Sequence, residues 1–116
     1  NNINLEYNMF EEIAVYKSTT FESELQRALN FIAEKPFGIE IDLDCIQSFP
    51  SSAMTPSGFT PEEARRVVYF FAKHKSANYL HVCEGAPSLS NEKLATKQVG
   101  KYISYLITDF IKSKTN

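Results

Sequence analysis

The chain has 116 residues, with 12 Lys and Arg against 14 Asp and Glu and a formal net charge of −2 at pH 7. Hydrophobic residues make up 43% and charged residues 22%, the makeup of one ordinary globular domain, and residues 1–116 read as a single unit. The balance leaves no basic surplus to hold nucleic acid or an anionic membrane surface, and no apolar run approaches the ~20 residues of a membrane span.

The polar start Asn1-Asn2-Ile3-Asn4 lacks the basic-then-apolar pattern of a secretory leader. Cys45 and Cys83 stand apart without a CxxC pair. Both features predict a cytoplasmic setting with reduced thiols.

Phe10 to Tyr16 reads as a short strand. Thr19 and Glu22 stand at capping-box spacing. Phe21, Leu25, Ala28, Leu29 and Ile32 follow at helical spacing, which predicts a helix over Thr20 to Glu34 that ends at Lys35-Pro36.

Gly38 to Cys45 reads as a buried strand in which Ile39, Ile41 and Leu43 alternate with Glu40, Asp42 and Asp44. Alternation predicts that Asp42 and Asp44 share a face. The strand gives way to a Pro- and Ser-rich loop running to Thr60. There Thr60, Pro61 and Glu63 form a capping box with proline at the first helical position. Ala64, Val67, Val68 and Phe71 make that helix's apolar stripe, Arg65 and Arg66 its solvated face, and Lys73-His74-Lys75 its end, as dipole complement.

Asn78 to Cys83 is a second strand. A last helix is predicted from Ser90 or Asn91 to Lys112-Ser113-Lys114. Helices alternating with strands predict a parallel sheet, with the two strands adjacent through a right-handed crossover. Glu84 then lies at the same carboxyl-end edge as Asp42 and Asp44, where open α/β sheets place their ligands.

Asp42 and Asp44 are open to two readings. They cap loop amides, or they hold a hard divalent cation such as Mg²⁺ or Mn²⁺. Asp-x-Asp also occurs in phosphatases that form an aspartyl phosphate and in glycosyltransferases, but the chain has no glycine-rich phosphate loop to support either. Glu84 is a solvated turn residue or a receptor for a cationic guanidinium or formimino group. His81 reads as a packed core histidine, Cys45 and Cys83 as buried small residues, and Ser51 and Ser52 as loop serines with no histidine nearby in sequence to activate them.

Ile41-Asp42-Leu43-Asp44, the proline-bearing loop, Thr55-Pro56-Ser57-Gly58-Phe59-Thr60-Pro61-Glu62-Glu63-Ala64 and Val82-Cys83-Glu84-Gly85-Ala86-Pro87 together resemble the C-terminal third of the ureohydrolases. That family includes arginase, agmatinase and formimidoylglutamase, and the resemblance covers roughly Phe37 to Lys112. It implies part of a three-layer α/β/α sandwich with a parallel sheet. It also implies a site where paired Mn²⁺ ions activate a bridging hydroxide that attacks a guanidino or formimino carbon. On this resemblance Asp42 bridges both metals, Asp44 binds the second, and Glu84 anchors the nitrogen end of a small-molecule substrate; no residue is assigned a catalytic role.

The chain departs from the family at Gln47-Ser48, where Asp-Pro is common, at Ser51-Ser52-Ala53 in place of Gly-Thr-Gly, and at Gly85-Ala86 in place of Val-Asn. Neither a Gly-Gly-Asp-His segment nor an Asp-x-His-x-Asp segment occurs. The expectation is therefore a C-terminal fragment of a manganese-dependent hydrolase of linear amidines, inactive alone. A non-catalytic α/β module that self-associates as a homo-oligomer through open sheet edges is the rival reading.

Overall fold

Thr60, Pro61 and Glu63 start a helix in the computed structural model of the chain as their chemistry dictates. The Thr60 hydroxyl accepts the Glu63 N–H at 3.0 Å and the Glu63 carboxylate accepts the Thr60 N–H at 2.9 Å. The structure describes residues 4–32, 34–89 and 94–116, which fall into two compact units, Asn1–Lys35 and Pro36–Asn116.

In the first unit, α1 spans Phe10–Ala14 and α2 spans Phe21–Ile32. The strand expected over Phe10 to Tyr16 is a helical turn instead. Phe10, Ile13 and Ala14 recur at helical spacing, Glu11 and Glu12 complement the amino-terminal dipole, and a strand there would need a pairing partner. The cap of α2 lies one residue later than the sequence suggests. Thr20 accepts the Ser23 N–H at 3.1 Å, while Thr19 turns to Glu24. Arg27 reaches back to the Glu6 carboxylate and the Tyr7 carbonyl, and so fastens the entering segment to α2.

In the second unit, β1 (Phe37–Asp42) pairs in parallel with β2 (Ala77–Cys83), and α3 (Pro61–Ala72) connects them. Helix α4 spans Leu94–Thr115; the predicted start at Ser90 or Asn91 lies outside the described residues. Helices α3 and α4 pack on each other and on the sheet. Ile39 and Ile41 are buried with Val68, Phe71, Val99 and Leu106, while Glu40, Asp42 and His81 are exposed. This is an α/β fold with a parallel sheet, as the alternation of elements predicts.

Two side chains depart from expectation. His81 is exposed, not in the core, because it alternates with the half-buried Leu80 and Val82 and pairs in register with exposed Glu40. His74 closes the turn after α3, its Nδ1 accepting the Ser76 N–H at 3.1 Å. Arg65 is more than a solvated residue, since it makes a bidentate pair with Asp109 at 2.7 and 2.9 Å. Asp109 lies on α4 and is only 8% exposed, so Arg65 supplies the partner that a buried carboxylate needs. Arg66 stays exposed and lies over the Phe70 ring.

Candidate functional site

The strand expected to reach Cys45 ends at Asp42. Asp42 turns the chain itself, because its Oδ1 accepts the Asp44 N–H at 2.8 Å and opens a 3-10 turn over Leu43–Cys45. The alternation that would put Asp42 and Asp44 on one face therefore stops before Asp44. Cys45 is exposed and Cys83 half-buried, so neither is the buried core residue expected. Both thiols are pushed above the ordinary cysteine value, first by local desolvation and then by the Asp42 carboxylate.

A loop contact does what alternation does not. Register places Asp42 beside Cys83, so Glu84 leaves the sheet next to Asp42. The Pro/Ser-rich loop then folds across this edge. Ser51 bridges Gly85 in antiparallel fashion, the Ser52 N–H donates to the Glu84 carbonyl at 2.9 Å, and the Ala86 N–H donates to the Pro50 carbonyl at 3.1 Å. Ser52 Oγ donates to Glu84 Oε2 and lies 3.2 Å from each oxygen of Asp44. Asp44 Oδ1 also takes the Ala53 N–H at 2.8 Å. Asp44 and Glu84 thus share one hydroxyl, and Asp42 is tied to Asp44 by the turn.

The Asp44 carboxyl is held below its ordinary value, chiefly by the Ala53 amide and then by the neighbouring serine hydroxyls. The Ser51 hydroxyl, on a residue 2% exposed, lies close enough to contribute without forming a well-aligned hydrogen bond. Because the folded state lowers this pKa, the stability it contributes is present above the ordinary aspartate value and is lost as pH falls through the lowered one. Asp44→Asn is expected to flatten that part of the acid limb, read from urea midpoints across the acidic range without added metal.

Glu84 has φ 70°, a left-handed conformation that favours glycine and costs other residues about 1 kcal/mol or more. Gly85, next in the chain, has its own constraint. A Cβ there would come within 3.1 Å of Leu43 Cδ1 and 3.2 Å of Val99 Cγ1.

The donor chemistry suits a hard divalent cation, since Asp42 and Asp44 offer carboxylate oxygens with lone pairs to spare. The donor number does not suffice. Among the described residues no group of three or more His, Cys, Asp and Glu could hold a metal ion. Asp42 and Glu84 are exposed, so burial does not compel a cation, as the apolar flanks of the strand had suggested. The sequence singled out Asp42, Asp44 and Glu84 but not Ser52 and Ala53. Their signal is the Ser51-Ser52-Ala53 run between prolines, which the resemblance sets in place of Gly-Thr-Gly.

No protein-family model and no curated protein matches the sequence. Solved structures do match. Trypanosoma cruzi formiminoglutamase in an oxidized form matches with a TM-score of 0.65 and 19% identity, over 78% of this chain and 30% of that one. The oxidized enzyme with Mn²⁺ matches with the same score and identity, over 78% of this chain and 31% of that one. At this identity the match shows a shared fold, and the chain spans less than a third of the length of either protein.

Proposed function

We propose that the chain is the part of a ureohydrolase-type enzyme that carries Asp42, Asp44 and Glu84 into a manganese site, in a protein that cleaves a guanidino or formimino C–N bond. The observation that supports this reading is the convergence of those carboxylates at one sheet edge, joined through Ser52, in a fold shared with formiminoglutamase. Asp42 and Asp44 would hold manganese together with ligands from outside this chain, and when bound the metal supplies the Lewis acidity that makes water a nucleophile at neutral pH. Glu84 keeps Oε1 free of Ser52, and that oxygen can accept charge-assisted hydrogen bonds from a cationic amidine. The Ser52 contact on Oε2 holds this carboxylate at the sheet edge, where it can orient the substrate.

Among the described residues there are too few metal ligands for the chain to act alone, and by itself it is expected to be inactive. The test is manganese-dependent release of urea from arginine or agmatine, or of formamide from formiminoglutamate, by the longer protein that contains this sequence. Asp42→Ala is expected to abolish both manganese binding and release; if both survive the substitution, the site is wrongly assigned.

A further inference from the structure

Ser52 presents one hydroxyl proton to two carboxylates. Its Oγ contacts Glu84 Oε2 closely and stands 3.2 Å from both oxygens of Asp44. A hydroxyl has a single proton to donate. The nearer contact directs that O–H toward Glu84, while the even spacing to Asp44 leaves the Asp44 lone pairs largely uncommitted by Ser52. The backbone around Ser52 is held independently, through its N–H on the Glu84 carbonyl and the bridge between Ser51 and Gly85.

We infer that Ser52 is a positioning residue. It fixes the Glu84 carboxylate at a set distance from Asp44, so that Glu84 receives a cationic amidine while Asp44 remains available to a cation of its own. This inference rests on the proposed role of Glu84 and adds the residue that orients it. The backbone clamp does not explain the side-chain contact. With Oγ removed, the loop would stay attached to residues 84–86, but Glu84 Oε2 would face water and the carboxylate would be free to rotate. The Asp44 contact with the Ala53 amide would be unchanged.

The test is titration of the longer protein that contains this sequence with methylguanidinium, followed by NMR at the amides of residues 84 to 86, for the unsubstituted chain, Ser52→Ala, Ser52→Thr and Glu84→Gln. Ser52→Ala is expected to weaken binding about tenfold while its spectrum away from the site overlays that of the unsubstituted chain. Ser52→Thr, which keeps the hydroxyl, is expected to restore most of the affinity, and Glu84→Gln to remove binding. Equal binding by the unsubstituted chain and Ser52→Ala overturns the role of Ser52 and leaves that of Glu84 standing. Loss in Ser52→Ala without recovery in Ser52→Thr also overturns it, because a structural defect would then account for the loss. Absence of binding by every form, the unsubstituted chain included, overturns the reading of Glu84 and this inference with it.

Discussion

Glu84→Gly and Glu84→Ala are expected to lose amidine binding alike, yet to differ in stability. Both remove a carboxylate that can accept charge-assisted hydrogen bonds, each worth about 1.5–3 kcal/mol. In the intact protein the loss of affinity should therefore be on the order of a hundredfold or more. On stability the two part. Alanine keeps a Cβ in the left-handed conformation at φ 70° and forfeits the Ser52 contact. Glycine forfeits the same contact but adopts that conformation freely. Glu84→Gly should be the more stable by about 1 kcal/mol, read from urea midpoints of the two variants. The left-handed backbone at Glu84 is the reason glycine is the better tolerated replacement. If Glu84→Ala equals or exceeds Glu84→Gly in stability, the strain argument fails. If either variant retains full affinity, the substrate role fails.

What the sequence made legible was local. Thr60-Pro61-Glu63 announces a helix because the capping bonds join residues within a single turn. Ile39 and Ile41 announce a strand because alternation is a property of neighbours. The parallel pairing of β1 and β2 follows from the helix between them. What stayed hidden depends on residues far apart. Ser52 meets Glu84 across 32 positions, and Arg65 meets Asp109 across 44. Nothing at Ser52 distinguishes it from any other loop serine until the loop folds over the sheet edge. Asp42 shows a related limit. Alternation counts residues as though the strand continues, but an aspartate whose own carboxylate can accept the second amide along is equally fit to end it. The alternation of elements brought Asp42, Asp44 and Glu84 to one edge of the sheet. It could not show that Asp44 and Glu84 meet through a serine.

Leu43→Ala is expected to be the most damaging single change near the site, although Leu43 bears no functional group. It sits between Asp42 and Asp44 in the 3-10 turn and is fully buried, at 0% exposure. Its Cδ1 packs above Gly85, on the other segment that builds the site. Leu43 therefore pins the turn carrying both aspartates to the turn carrying Glu84. Truncation removes the transfer free energy of the buried side chain and leaves a cavity, a loss of about 3 kcal/mol. For a domain of this size, whose total stability is about 5–15 kcal/mol, that is a large fraction. Leu43→Met keeps most of the volume and should cost less than about 1.5 kcal/mol. The two variants separate packing from chemistry, since neither touches a carboxylate. In urea unfolding monitored by far-UV circular dichroism, Leu43→Ala should shift the midpoint far below that of Leu43→Met. The amides of Ala53 and Ser52 should lose hydrogen-exchange protection ahead of the rest of the unit, because the contacts they make depend on where Leu43 holds Asp44 and Glu84. Uniform loss of protection across the unit would show instead that Leu43 supports the core without specifically organising the sheet edge.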